Sequence, residues 1–399
     1  MKKSMKLIAS VLAVMMLLAC TVSAGKYDEV FNGLSFSEYA LYEQGTLDAL
    51  QLRAFAVDPN GKYYYGGLLN GGTPTVVQFD VASKNEVATY QFTEDGETNA
   101  YIKAIACDSR GYVYMGIANG ANNGAVYFAI CEQNGLNQVS WKKIEIENKV
   151  GINGACTYEK DGKVYLYFIT NYDTDRIYCY DVTDVNNPTL NTAFGNGAGG
   201  GFVDLNETFS MQDANNIAIG PDGMLYMCAT TGVGSKGDTV FKIDNKGLGM
   251  MASNSNVMEC FGVTVVAEYV VVCTYQGDES MVYVLNDKDL SVVTTYTWDN
   301  APGYGSNNFC QLGMIGDKLY MADQGPDAVL VSTPIVFPTP VVEEPAAEAP
   351  ADAAADAEAP AAEAPAAAPA AAPKTADAGI VVAAVVMAAA AAVVLSKKH

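Results

Sequence analysis

A turn followed by an aromatic strand recurs six times between residues 58 and 320, and a period of this kind leaves few folds open. The turn reads Asp58-Pro59-Asn60-Gly61-Lys62-Tyr63-Tyr64, then Asp108-Ser109-Arg110-Gly111-Tyr112-Val113-Tyr114, Lys160-Asp161-Gly162-Lys163-Val164-Tyr165 and Pro221-Asp222-Gly223-Met224-Leu225-Tyr226. Two degenerate copies follow, Ala267-Glu268-Tyr269-Val270 and Gly316-Asp317-Lys318-Leu319-Tyr320. Matching positions are 50, 51, 61, 45 and 49 residues apart. Self-similarity near this period means a solenoid, a propeller or an array. Each unit has a short apolar run (Ala54–Val57, Ala104–Cys107, Ile217–Ile219), an Asp/Asn-Gly hairpin signal and a Tyr-rich run. A third run follows (Val76–Val81, Ala125–Ile130), and often a fourth (Glu86–Phe92, Val292–Trp298). Four antiparallel strands in about 50 residues make a propeller blade. No helical apolar period interrupts the region. The sixth unit has only three strand-like runs, and one extra run, Ser35–Glu43, precedes the first. A ring has to hide its two free edges, so the extra run is expected to complete the last blade. The chain reads as all-β, a six-bladed β-propeller of four-stranded antiparallel blades closed by an N-terminal strand.

These units resemble the NHL and lactonase-like propeller families, whose blades carry a turn like Gly220-Pro221-Asp222-Gly223-Met224-Leu225-Tyr226. The likeness is at the level of the fold, and fold does not imply function. In a blade, the connection into the first strand and the loop from second to third strand open on one face. Here both are rich in Asn and Asp, and Asn153, Asp213, Asn215, Asn216, Asn307 and Asn308 are expected to ring the mouth of the central channel. Amide and carboxylate oxygens suit Ca²⁺. Lactonase-like propellers hold such an ion there, which makes Asn153, Asn216 and Asn307, with Asp213 nearby, the calcium candidates that the resemblance implies. Asn, Asp and Gly are also ordinary turn formers, and no spacing here is diagnostic of calcium.

Both ends of the chain look like export hardware. Residues 1–24 carry Lys2, Lys3 and Lys6, an apolar run Leu7–Leu18, and Val22-Ser23-Ala24 ahead of Gly25, the pattern of a signal peptide. Leu17-Leu18-Ala19-Cys20 also resembles a bacterial lipobox; the reading favoured is cleavage after Ala24. The propeller is assigned to 25–337. Residues 338–373 are almost wholly Ala, Pro and Glu/Asp, a disordered linker that reaches on the order of 100 Å if extended. Residues 374–399 hold the apolar span Ala378–Leu395 and the basic tail Lys397-Lys398-His399. Eighteen helical residues cover about 27 Å, enough for a bilayer core, and the lysines are expected to stay on the cytoplasmic side. Ahead of the span, Pro373, Lys374, Thr375 and Ala376 resemble the Leu-Pro-x-Thr-Gly sorting signal of Gram-positive wall-anchored proteins. Pro373 and Thr375 match it, while Ala372 and Ala376 replace its Leu and Gly. Wall attachment and a retained transmembrane anchor both stay open, and the expected place of work is the outer face of the cell.

Composition narrows the chemistry. The chain carries a formal charge of −22, which repels nucleic acid and anionic lipid and attracts cationic partners. The one histidine is His399, so a Ser-His-Asp triad, a His-based metal site and His general-base catalysis are excluded from the outward domain. Of nine cysteines, eight fall in 25–337, mostly inside strand-like runs and without a CxxC pair; they read as buried thiols. Arg53, Arg110 and Arg176 are the only arginines there and do not suggest a sialidase-type triad. Tyr64, Tyr114, Tyr165, Tyr226 and Tyr320 recur at one place per blade and read as packing between blades. The expected function is a non-enzymatic, surface-anchored binding or adhesion module for a protein, glycan or small ligand, acting through the Asn/Asp-rich face. The alternatives are a Ca²⁺-dependent lactonase-like hydrolase and a structural cell-surface protein.

Overall fold

The computed structural model describes residues 27–337 apart from 41–51, 69–72, 95–99, 120–124, 146–149, 173, 212, 230–238, 258, 275–280, 298–308 and 325–327. These residues lie in the first of two units, Met1–Pro340 and Val341–His399. Among them no helix is long and apolar enough to cross a membrane. The signal-peptide, linker, sorting and membrane-span readings (1–24, 338–373 and 374–399, with Pro373, Lys374, Thr375 and Ala376) lie outside the described residues.

Six antiparallel sheets form the blades. Blade 1 is β2 (Leu52–Val57), β3 (Tyr63–Leu68), β4 (Thr75–Asp80) and β5 (Glu86–Gln91). Blade 2 runs from β6 (Ala100–Cys107) through β7 (Tyr112–Asn119) and β8 (Ala125–Glu132) to β9 (Asn137–Glu145). Blade 4 is β15 (Ala214–Ile219), β16 (Leu225–Ala229), β17 (Val240–Ile243) and β18 (Met250–Asn254). Blade 5 is β19 (Cys260–Val266), β20 (Tyr269–Thr274), β21 (Met281–Asn286) and β22 (Val292–Thr297). Blade 6 has β23 (Phe309–Ile315), β24 (Lys318–Asp323) and β25 (Ala328–Ser332), and its outermost strand is β1 (Phe36–Ala40), paired antiparallel with β25 from Phe36↔Ser332 to Ala40↔Ala328. The extra N-terminal run therefore closes the ring, as the count of strands required.

Blade 3 departs from the expected four strands. It contains β10 (Val150–Lys160), β11 (Lys163–Tyr172), β12 (Arg176–Asp181), β13 (Thr189–Leu190) and β14 (Phe202–Asp204). Both short strands pair with β12, one along each half. They are one outer strand interrupted by an excursion through residues 191–201, which accounts for the 61-residue spacing. The excursion leans on blade 4, where Gly195 N–H donates to the Lys246 carbonyl at 2.9 Å. Gly195 has φ +73°, and a Cβ there would lie 2.0 Å from the Phe202 carbonyl oxygen, so only glycine fits. Helix is not wholly lacking either: α1 (residues 27–31) precedes β1, and α2 (Leu205–Phe209) follows the excursion, capped by Asp204.

The recurrent turns form for a local reason. Asp58 accepts from the N–H groups of Asn60 and Lys62, and Asp108 from those of Arg110 and Tyr112. Each carboxylate thus holds the turn while a glycine takes the left-handed corner, Gly61 at φ +72° and Gly111 at φ +89°. In the degenerate fifth copy Ala267 takes that corner at φ +53°.

The core is six clusters, one at each blade-to-blade contact. Blades 1 and 2 share one, blades 2 and 3 the next, and so on to blades 6 and 1. The recurrent tyrosines sit in these seams. Tyr64 stacks on Phe79 of its own blade at 5.1 Å and meets Tyr320 of blade 6 at 6.2 Å. Tyr114 faces blade 3 and Tyr226 faces blade 5. Each fully buried aromatic contributes about 2–3 kcal/mol. The eight cysteines of 25–337 are free thiols, six of them buried.

Candidate binding site

Every innermost strand carries the same irregularity. The register between first and second strand slips by one residue at Leu52/Ala54, Ile102/Ala104, Ile152/Gly154, Ala214/Asn216, Cys260/Gly262 and Phe309/Gln311. A bulge leaves one residue unpaired and bends the strand. The bulged residues Arg53, Lys103, Asn153, Asn215, Phe261 and Cys310 therefore form one tier around the axis.

The residue after each bulge is small in four blades (Ala54, Ala104, Gly154, Gly262) and a carboxamide in two (Asn216, Gln311). A Cβ on Gly154 would lie 2.6 Å from the Asn216 Cα of blade 4, and one on Gly262 2.8 Å from the Gln311 Cα of blade 6, so these small residues let neighbouring innermost strands approach. Gln311 reaches across the axis. Its Nε2 donates to the carbonyls of Lys103 (3.1 Å) and Asn153 (3.3 Å), and its Oε1 accepts from Phe55 N–H (2.6 Å). Asn153 Nδ2 donates to Ala214 O and Asn215 Oδ1, and Asn215 Nδ2 to Cys260 O. Three carboxamides thus tie blade 6 to blades 1, 2 and 3, blade 3 to 4, and blade 4 to 5. In the bulge tier Arg53 of blade 1 stacks over the ring of Phe261 of blade 5 at 4.3 Å. These blades are not neighbours, so the pair reaches across the axis.

The structure brings Asn153, Asn215 and Asn216 together. Asn153 and Asn215 serve in the carboxamide belt, and Asn216 Oδ1 accepts from Ile217 N–H at 2.7 Å. Asp213 stands just before them in a left-handed conformation (φ +56°). Asn307 and Asn308 lie outside the described residues. Arg53, Lys103, Phe261 and Gln311 were not singled out from sequence. The signal was a polar residue interrupting an apolar run at fixed register: Arg53, Lys103 and Asn215 all fall eight residues before the turn glycine.

At the start of blade 4, Asp175 Oδ1 accepts from Ala214 N–H at 3.1 Å. Burial, with the nearby Asp213 and Asp204 charges, pushes the Asp175 carboxyl up to about 7, against the pull of its backbone hydrogen bonds. The Oδ1 atoms of Asn153 and Asn171 are buried without a hydrogen-bond partner. Tyr167 and Ile169 face blade 4, so strand alternation turns Asn171 the same way. Among the described residues no group of three or more His, Cys, Asp or Glu side chains could hold a metal ion.

Beyond the belt the channel opens into a cavity of about 300 Å³ walled by the innermost strands of all six blades. It runs from Asn216 and Gln311 to Pro59 in the first turn of blade 1, so it opens on the face made by those turns, opposite the Asn/Asp-rich one. Its lining is Phe55, Ile105, Ile217, Leu312 and similar groups, with Thr157 and Thr264 for polarity. Its ionisable groups are the thiols of Cys107 and Cys156, and burial raises the pKa of both.

Fold and site together define the class: a six-bladed β-propeller whose axis is plugged at one end and hollow at the other. No family model matches the sequence, and no curated protein matches it. Several solved structures resemble it distantly. The luciferin-regenerating enzyme is 12% identical over 75% of this chain and 95% of its own, with a TM-score of 0.48. The Dos1 propeller is 9% identical over 72% and 80% (TM-score 0.44), and BamB from Moraxella catarrhalis 13% identical over 71% and 83% (TM-score 0.38). The six-bladed assignment rests on the chain's own sheets.

Proposed function

We propose that this protein is a non-enzymatic binding module, a propeller held on the outer face of a cell by its C-terminus, that takes a small ligand or the protruding tip of a larger partner into the blind axial cavity. The cavity carries this reading. It is concave, and its surface is about evenly divided between apolar side chains and polar groups, so it can both bury a ligand and orient it. Thiols with raised pKa values are poor nucleophiles, and the lining described offers no carboxylate or amine for proton transfer. The tether is supported by the apolar span Ala378–Leu395 with its basic tail. The Asn/Asp-rich face is the weaker place for the ligand, because Asn153 and Asn215 are already engaged in holding the blades.

Filling the cavity tests this. On peptide and glycan arrays the full-length chain is expected to be retained by a defined subset of spots, and Thr264→Phe to weaken that retention about tenfold or more, equivalent to about 1.4 kcal/mol. Retention that the substitution leaves intact would place the site elsewhere. Turnover of lactone or ester substrates would make the protein an enzyme.

A second reading has its own observation. The Oδ1 atoms of Asn153 and Asn171 are buried and unpartnered, Asp175 accepts from Ala214 N–H at the start of blade 4, and oxygens of these kinds suit Ca²⁺. These residues would hold the ion, and a bound Ca²⁺ would polarise a carbonyl or phosphoryl oxygen, as the lactonase-like resemblance implies. Millimolar Ca²⁺ is then expected to raise the melting temperature of the full-length chain by several degrees over chelator, and Asn171→Leu to abolish the difference. Identical melting in Ca²⁺ and chelator removes this reading.

A further inference from the structure

The plugged end of the axis displays the kind of group its wall accepts. Each innermost strand is the last of its sheet on the axial side, so one edge presents N–H and C=O groups to the channel without a strand to pair them. In the plugged tier those groups are met by carboxamides. Gln311 accepts from Phe55 N–H and donates to the Lys103 and Asn153 carbonyls, Asn153 donates to Ala214 O, and Asn215 donates to Cys260 O. All three side chains are uncharged; Gln311 and Asn215 both donate and accept, and Asn153 donates. The same edges continue into the cavity. Because Phe55 N–H points to the axis, alternation along β2 turns the Val57 backbone there too, and the Cys107 carbonyl already accepts from the Thr157 hydroxyl of the neighbouring blade at 2.6 Å.

We infer that the cavity takes an uncharged peptide: the tip of an extended apolar segment whose main-chain amide pairs with these edges as Gln311, Asn153 and Asn215 do one tier away. The inference rests on the binding reading above and names its ligand. Apolar side chains of the peptide fit among Phe55, Ile105, Ile217, Val263, Leu312 and Met314. A charged ligand would lose its hydration with no opposite charge in the described lining to replace it. A sugar would bring several hydroxyls to a wall that offers few polar side chains, chiefly Thr157, Thr264, Asn216 and Gln311, and Gln311 is already saturated.

The test uses the full-length chain and ligand-observed saturation-transfer NMR with three probes: N-acetyl-leucinamide, N-acetyl-leucine and N-acetylglucosamine. N-acetyl-leucinamide is expected to bind and the carboxylate to bind at least about tenfold more weakly. Two cavity-filling variants, Thr264→Phe and Ala155→Leu, are expected to lose the signal while melting near the wild type; two are used in case one fails to fold. Equal binding of amide and carboxylate overturns the inference, as does binding that both folded variants retain. N-acetylglucosamine binding in place of the amide, lost in the variants, overturns the peptide ligand and leaves the cavity as a binding site. Silence from all three probes overturns the peptide inference alone, because the arrays test the binding reading independently.

Discussion

Gln311→Ala is expected to destabilise the propeller by about 3–5 kcal/mol, more than any other single carboxamide change in the belt. The side chain is 5% exposed and makes three hydrogen bonds to three different blades. Truncation leaves two carbonyls and one N–H without a partner in a confined space, each costing about 1–3 kcal/mol, less whatever water can recover. For a domain of this size the melting temperature is expected to fall by on the order of 10 °C. Gln311→Glu keeps the shape and reverses the chemistry. An ionised carboxylate cannot donate to the Lys103 and Asn153 carbonyls, and it is buried opposite their negative ends. Its pKa in the folded state is therefore expected to rise above the unfolded value of about 4.3. The sign follows from linkage: relative to wild type, the variant is least penalised below the unfolded pKa and loses stability as pH rises through the folded one. Urea titrations of wild type, Gln311→Ala and Gln311→Glu at pH 4 and pH 7.5 separate these effects. A change within about 1 kcal/mol for both variants at pH 7.5 would mean that the belt does not hold the blades.

Removing the closing strand is expected to have the larger structural consequence. A chain beginning at residue 41 loses β1 and α1. Blade 6 keeps three strands, and β25 becomes an open edge along Ala328–Ser332. Phe31 goes with α1: it is 1% exposed, packs edge-on against Tyr269 at 5.0 Å, and its carbonyl accepts from the Tyr296 hydroxyl at 2.9 Å. Loss of one buried Phe costs about 3–5 kcal/mol. The five strand pairs add to this, and the exposed edge is a template for another chain. The truncated chain is expected to melt at least about 10 °C lower and to self-associate on size exclusion, and a synthetic peptide covering 25–43 is expected to restore part of both. A truncated chain that stays monomeric and melts with the full-length protein would show that the ring does not need closure.

Much of the fold was legible because its causes are local. The Asp-x-x-Gly turns are built from carboxylates bonding N–H groups two and four residues on, and the aromatic run after each turn packs into a seam that every blade repeats. The strand Ser35–Glu43 could be placed without coordinates, since a ring with one strand missing at one end and one spare at the other has a single economical solution. The split outer strand of blade 3 was not legible. Its spacing of 61 residues marked an insertion, but only pairing with β12 on both halves shows where the insertion sits. Asn153, Asn215 and Asn216 were expected around the mouth of the channel from their place in the repeat, but the partners they bond were not legible, because hydrogen bonds between blades depend on the rotation between sheets and leave no spacing in the chain. Arg53 and Phe261 meet across the axis from blades with another between them, a contact no local pattern could announce.

What the chain order and composition settled is the repeat, the all-β architecture, the closing strand and the lack of histidine chemistry in 25–337, because each follows from short-range periodicity or residue inventory. What only the folded molecule decided is which end of the axis is open. At the tier of the six bulges the carboxamides of Gln311, Asn153 and Asn215 fill the axis, and the hollow lies toward the opposite face. That outcome depends on side chains from all six blades meeting at one point, and such a meeting exists only once the ring has closed.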